Sequence, residues 1–506
     1  MTRRLALAAH VLLGAMVATL ASPVQAQTYK MTTPIAPGVA TPDSMQSSIG
    51  PLQLRDGFPT AETKERIWDN LDRSRALQAY LLAIPIVNQA GMRDTLLKFG
   101  PVNGTDVIWE NLVDPRTVEL TANDNTIYSF IWIDTRQGPV VVEIPPRVLG
   151  TINDFWYKWV IDIGITGPDR GAGGKYLILP PGYAGAVPDG YIVVRPTTYG
   201  MWTVFRSFLV DGKTGPAVEE VKNHLKIYPL AAAANPPQME FANVSGVPFN
   251  TIHANDFEFY EELDHVVQRE PLELFDPELL GLAAAIGIKK GQKFAPDARM
   301  RKILTDAVAV GNATARAITF RNRDPRAPLY PNSQWQTGFI GDDYRWLDGD
   351  GMGGRNHDAR TRFFYMATVN TPAMALKMVG VGSQYAIISA DKDGGDLDGA
   401  RTYRLNIPAN APAKDFWSVV VYDPQTRSEL QTSQPFPSKN NQRDQLIANA
   451  DGSVDLYIGP QAPAGKEANW IATVRGKGWF ALFRLYGPLE PWFEKAWRPD
   501  DIVLLP

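Results

Sequence analysis

Apolar and polar positions change their spacing several times along this chain. Over residues 61–84, Ile67, Leu71, Leu77, Leu81 and Ile84 fall mostly at three- and four-residue steps, with Lys, Glu, Asp and Arg between them. That spacing predicts an amphipathic helix, which Pro85 ends or kinks. From 107 to 210 the pattern becomes short apolar runs, at 117–120, 127–134, 140–144, 156–163, 175–179, 191–195 and 201–210, punctuated by Pro, Gly, Asn and Asp. Runs at this spacing predict a sandwich or jelly roll. The lack of amphipathic helices between them argues against βαβ units.

Helical spacing returns at 216–226, where Pro216 suits a first turn, and again at 256–268, 277–286 and 297–318. In the last of these, Met300, Ile303, Leu304, Ala307, Val308 and Gly311 form one face that must pack on a sheet or another helix. Residues 322–336, with Pro325, Pro328 and Pro331, read as a linker or surface crossing. A further helix over 359–377 is interrupted at Pro372, and strands resume at 384–389, 402–407, 416–422, 454–458 and 479–486. Asp451-Gly452 before the fourth of these is a hairpin signal. The expected fold class is therefore mainly β: two jelly-roll-like β-sandwich domains with helical additions between and before them. The expected boundaries are an irregular leader at 27–60, a helix plus first sandwich at 61–215, a helical connecting region at 216–336 and a second sandwich at 337–506.

Composition narrows the function classes. With 506 residues, 44% hydrophobic and 21% charged, the chain can bury more than one core. A net charge of −4 provides no basic field, so nucleic acid is not an expected partner. Met1-Thr2-Arg3-Arg4, the apolar run 5–20 and Val24-Gln25-Ala26 make residues 1–26 a secretory signal peptide, predicting a periplasmic or secreted protein. The run is short for a membrane span, and no later stretch is long and apolar enough, so no span is expected after its removal. The chain has no cysteine, which excludes disulfides, a cysteine nucleophile and thiolate zinc sites.

Several motifs together resemble a known family of bacterial exported proteins. In the first β segment they are Asn123-Asp124-Asn125-Thr126-Ile127-Tyr128-Ser129, Trp132-Ile133-Asp134, Gly138-Pro139-Val140-Val141 and Pro196-Thr197 with Arg206. In the second they are Asp398-Gly399, Tyr403, Phe416-Trp417-Ser418, Tyr422-Asp423, Asp451-Gly452-Ser453, Asn469-Trp470 and Arg484-Leu485-Tyr486-Gly487-Pro488. Ile286-Gly287-Ile288, Phe294-Ala295-Pro296-Asp297 and Thr371-Pro372-Ala373-Met374 match the connecting region. The family carries two tandem domains, domain of unknown function twelve-fifty-four followed by twelve-fourteen. The resemblance covers nearly the whole chain after the signal. It implies two jelly-roll-like sandwiches similar to the double jelly rolls of large DNA-virus capsid proteins, and it carries no catalytic residues with it.

Candidate chemistry is read from the residues themselves. Asp391, Asp393, Asp396 and Asp398 place four carboxylates within eight residues, which repel unless solvated or neutralised. The loop is either a solvated turn or a Ca²⁺ site. It starts like an EF-hand, but has Gly395 at position five, Asp396 where glycine is needed and Thr402 in place of the twelfth-position Glu. Beyond the signal there are four histidines, His224, His253, His265 and His357, and none pairs at i, i+4. His357 beside Asp358 in a Gly-rich loop is the catalytic candidate among them. Asp124 is another, since Asp124, Thr126 and Tyr128 alternate onto one face as a strand begins. Tyr128, Trp132, Asn469, Trp470, Arg484 and Tyr486 are candidate ligand contacts: an arginine flanked by aromatics can bind a carboxylate or a sugar.

These readings lead to an exported protein that handles a small molecule or an envelope-derived substrate, with metal-assisted hydrolysis as the candidate chemistry. The competing class is a non-catalytic binding or assembly protein, a homo-oligomer built like a double jelly-roll capsid. A convergent pocket would favour the first, and large apolar sandwich faces the second.

Overall fold

The computed structural model describes residues 33–272 and 276–506, so the signal-peptide expectation lies outside the described residues. The chain divides into two compact units after Trp68. In the first, the supposed leader forms a three-stranded antiparallel sheet of Ser44–Ser47, Gly50–Arg55 and Phe58–Pro59. Its second turn is Asp56-Gly57, with φ of 49° and 82°. This is the positive-φ dipeptide that two-residue hairpins use, a signal that composition had masked.

The helix Ala61–Leu96 runs on through Pro85 rather than ending there. Ile86, Val87 and Ala90, beyond the proline, are buried, and their packing offsets the roughly 3 kcal/mol that an interior proline costs. The guanidinium of Arg360 donates to the carbonyl of Leu82 at 3.1 Å, supplying a partner in the turn that the proline disturbs.

Within the second unit, the first β segment forms two sheets. One has six strands, in the order Glu240–Asn243, Thr105–Ile108, Ile127–Asp134, Gly200–Ser207, Val148–Asp154 and Trp159–Gly164. The other has four: Ile192–Val194, Gly174–Ile178, Val140–Ile144 and Lys226–Pro229. Their facing side chains, including Ile131, Ile133, Val142, Tyr176, Met201 and Phe205, share one core, so the sheets pack as a sandwich. Thr105–Ile108 and Val148–Asp154 were not expected. The second of these sits between Pro145-Pro146 and an aromatic run, which hid its alternation.

The second β segment repeats the plan. A five-stranded sheet of Gln336–Thr337, Ser383–Ile388, Phe480–Pro488, Ala413–Tyr422 and Ser438–Asn440 packs on a four-stranded one of Trp470–Ala472, Val454–Gly459, Tyr403–Ile407 and Val503–Leu504. Leu405, Val419, Leu456, Phe483 and Leu485 lie between them. The 322–336 stretch belongs here rather than to a linker, because Tyr330 and Trp335 are buried in this core. Asp451-Gly452 is a turn and not a hairpin, because Val454–Gly459 pairs with Tyr403–Ile407 instead of the preceding chain.

Both large sheets are buried on their outer faces too. In Ile127–Asp134, Ile131 and Ile133 point into the sandwich, while Phe130 and Trp132 point out into a core shared with the helices Ala61–Leu96, Glu258–Arg269, Ala298–Phe320 and His357–Met366. On the second sandwich, Ile387, Val420, Phe480 and Leu482 face outward against Met366 and Phe320. No helix among the described residues is long and apolar enough to cross a membrane.

Candidate functional site: a cavity walled by both sandwiches

Alternation along two strands decides what the outer faces carry. In Gly200–Ser207, Met201 and Phe205 enter the sandwich core, so Trp202, Val204 and Arg206 face outward. In Phe480–Pro488, Ala481, Phe483 and Leu485 point in and Leu482, Arg484 and Tyr486 point out. Arg206 and Arg484 line a common cavity. Its other walls come from the strand Ser383–Ile388, the segment between helices around 367–374, and the chain from Val113 to Asn123. Most of the lining is apolar: Phe130, Leu149, Val204, Phe363, Met374 and Leu482 are representative. About 110 Å³ is open to the centres of water-sized molecules, several times the ~10–15 Å³ that one buried water requires.

The two arginines are held differently. Arg484, 3% exposed, donates from Nη1 to the Tyr422 hydroxyl at 2.5 Å and from Nη2 to the Thr121 carbonyl at 2.7 Å. Its guanidinium carbon lies 5.8 Å from the Tyr385 ring centroid. Arg206 is partly covered, as a side chain facing a cavity must be. Its guanidinium carbon stands 5.4 Å from the Tyr486 ring, which itself stacks on Phe416 at 4.1 Å. Burial works against the charge on each, but the surrounding phenols outweigh it: Tyr128, Tyr385 and Tyr486 about Arg206, and Tyr422, Tyr486 and Tyr385 about Arg484. Both pKa values are raised, so both groups stay cationic. Among the described residues neither forms an ion pair.

Glu119 is the acidic member of the lining. It is buried, and one carboxyl oxygen accepts from the Thr368 hydroxyl at 3.2 Å. Burial pushes its pKa up to about 8, against the opposing effect of that hydrogen bond. The backbone here is strained as well. Thr121 (φ 44°) and Val369 (φ 65°) are the β-branched residues at positive φ among those described, and both line the cavity. The Thr121 N–H is held at 2.7 Å by the carbonyl of Arg427, itself at φ 61°. Such outliers cost about 1–3 kcal/mol each and gather where a site fixes them.

The structure brings Tyr128 and Arg484 to this cavity, with Tyr486 beneath Arg206. Asp124 comes close in sequence but turns away from it. The turn 123–126 precedes the strand, and Asp124 accepts from Ser438 and lies 3.6 Å from Arg443 of the second sandwich. Burial, opposed first by Arg443, raises its pKa. Trp132 is a core residue, edge-to-face with Phe155 at 5.2 Å. Asn469 pins a loop through Ile447 and Asp455, and the Trp470 indole donates to the Gly459 carbonyl at 2.9 Å. His357 is exposed on the first turn of His357–Met366, and Asp358 faces Arg323 at 3.5 Å instead of the imidazole. Burial and then Arg360 and Arg355 lower the His357 pKa.

In the acidic loop, Asp391 accepts from the N–H groups of Asp393 and Gly395, and Asp393 pairs with Lys392 at 2.7 Å. Asp396 pairs with Arg321, and Asp398 accepts from the Ala400 N–H. The four carboxylates thus serve four different partners. Among the described residues no three His, Asp or Glu side chains stand where they could hold a metal.

Sequence reasoning missed Glu119, Tyr385 and the strained pair, and it took Arg206 only as a motif residue. The available signal was the arginine itself. A cation within a strand whose neighbours on both faces are apolar is costly to bury without a partner, and Arg206 and Arg484 both occupy such positions.

Fold and site together define a two-sandwich protein with a mainly apolar, cation-bearing cavity. The family model described as protein of unknown function DUF1254 matches residues 104–229, and that for DUF1214 matches 382–490. The two matches stand in tandem, in the order that the motifs' resemblance implied. No curated protein matches it. Among solved structures, the VPA0106 protein from Vibrio parahaemolyticus is similar over 86% of this chain and 100% of its own, with a TM-score of 0.52 at 17% identity. An uncharacterized protein from Burkholderia cenocepacia aligns over 87% of this chain and 97% of its own, with a TM-score of 0.39 at 13% identity. The first likeness shows a shared fold.

Proposed function

We propose that this protein binds a small organic anion, a carboxylate or similar headgroup on an apolar body, in the cavity between its two sandwiches, and that it does so after export. The observation that carries the reading is the pair Arg206 and Arg484: two cations from different domains, without ion-pair partners among the described residues, on a mainly apolar wall. A guanidinium matches a carboxylate bidentately, and desolvated surroundings strengthen the contact. The strained backbone at Thr121 and Val369 supports a site over a packing defect. Binding has more support than metal-assisted hydrolysis, because His357, Asp358 and the Asp391 loop lie off the cavity lining. It also has more than capsid-like assembly, because helices cover the outer faces of the large sheets.

The test is calorimetric titration with octanoate and benzoate. We expect saturable binding of at least one acid, lost by tenfold or more in Arg206→Met. Neutral octanol or benzyl alcohol binding as well as the acids, or equal acid affinity in that variant, would refute the reading.

A further inference from the structure

Resting on the anion-binding reading, we infer that the preferred ligand is a hydroxy acid, whose hydroxyl, remote from its carboxylate, is recognised by Glu119. The argument starts from where the polar groups sit. The guanidinium groups share one neighbourhood, since both have Tyr385 and Tyr486 as close neighbours. Glu119 belongs to another: its hydrogen bond comes from Thr368, and the fully buried Tyr157 adjoins the same carboxyl. Among the described residues Glu119 makes no ion pair with either arginine, so the cavity has two separated polar points with apolar side chains around them.

Among the described residues one Glu119 oxygen accepts from Thr368 and the other accepts no hydrogen bond, and the residue lines the cavity. A buried carboxyl left with unused capacity is costly, and a ligand group that fills it is correspondingly selected. A second carboxylate on the ligand would be repelled once Glu119 ionises. An amine would be drawn to Glu119 but repelled by the two arginines. A hydroxyl donates to the carboxylate and accepts from the carboxylic acid, so it fits Glu119 in either protonation state. The chemistry that satisfies both points is thus a carboxylate at the arginines and a hydroxyl at Glu119, joined by an apolar body. Thr166 and Ser383 also line the cavity and add hydroxyls to its wall.

The experiment compares matched probes on the full-length protein: octanoate against 8-hydroxyoctanoate, and benzoate against 4-hydroxybenzoate, by isothermal titration calorimetry. Wild type should bind the hydroxy acid about tenfold more tightly in at least one pair, the value of one good hydrogen bond to a buried group. Glu119→Leu should erase that preference, and Glu119→Gln, whose amide can also donate and accept, should restore it. Parent and hydroxy acids binding equally to wild type would overturn the inference while leaving the anion-binding reading intact, and this comparison needs no variant to fold. A preference that survives Glu119→Leu would overturn it too. If no acid of either kind binds, the underlying reading fails and the inference with it.

Discussion

The two sandwiches each send one arginine into the cavity from the same kind of place, the outward face of a central strand in the larger sheet. They differ in what the arginine does for the fold. Arg484 bonds the Tyr422 hydroxyl and the Thr121 carbonyl, and so ties the second sandwich to a strained segment of the first. Arg206 has aromatic rings about it and a side-chain hydrogen bond to Tyr385, and among the described residues it donates to no backbone carbonyl. A charge held by the fold and a charge held ready for a ligand can thus share one cavity. The difference lies first in the Thr121 carbonyl that Arg484 holds across the two sandwiches.

The largest effect should separate the two. Arg484→Met removes two charge-assisted hydrogen bonds and leaves the Thr121 carbonyl without its donor. It should cost about 3 kcal/mol in denaturant unfolding. Arg206→Met replaces a cation whose one side-chain hydrogen bond is to the Tyr385 phenol by an apolar side chain of similar reach, and should stay within about 1 kcal/mol of wild type or gain stability. Equal destabilisation by both substitutions would erase the distinction and make Arg206 a structural residue.

Part of this was readable without coordinates. The strands 127–134 and 416–422, the helical face from Met300 to Gly311 and Arg484 among aromatics were all visible in the spacing. The cavity was not, because it exists only where the outer faces of two sheets, 278 residues apart at Arg206 and Arg484, meet across a helix-linked segment. Glu119 looked like the polar end of a short strand, since nothing local reports that Thr368 will bury it. The positive φ of Thr121 and Val369 was unreadable for a different reason: β-branched residues avoid that region, so their sequence argues for the opposite conformation. His357-Asp358 misled in the other direction. Adjacent residues at a helix start diverge, and each found other surroundings.

A second contrast concerns the sandwich interiors. The inward positions of Phe480–Pro488 include Ala481, Phe483 and Leu485, whereas the first sandwich buries Asp106 on Thr105–Ile108, with Ser129 donating to it at 2.9 Å. Burial pushes Asp106 up to about 8, outweighing the Ser129 bond. The folded state therefore holds a proton that the unfolded chain releases near pH 4. This contribution to stability is complete below the unfolded carboxyl range and falls as pH rises towards 8, by up to about 1.4 kcal/mol per pH unit. Asp106→Asn keeps a neutral group of the same shape. Melting curves from pH 5 to 9 should show a shallower decline in the variant than in wild type, and parallel curves would mean that Asp106 is ionised in the fold.

The smallest effects test whether the acidic loop resembles the cavity at all, that is, whether its charges are held by the fold or left to solvent. Asp391 is buried and caps its own turn through the N–H groups of Asp393 and Gly395. Removing such an Asx cap costs about 1 kcal/mol. Asp393, exposed and paired only with its neighbour Lys392, should contribute within about 0.5 kcal/mol. Asp391→Ala should therefore lower the melting midpoint measurably, and Asp393→Ala should not. Adding Ca²⁺ or chelator sharpens the point, because a cation bound across the loop would raise the midpoint by mass action and would make Asp393 matter as much as Asp391. A Ca²⁺-dependent shift lost in Asp393→Ala would place a charge-binding function in the second sandwich after all. Its absence would leave the loop as the turn that carries the chain from Ser383–Ile388 to Tyr403–Ile407, with its charge spent on Lys392, Arg321 and its own backbone.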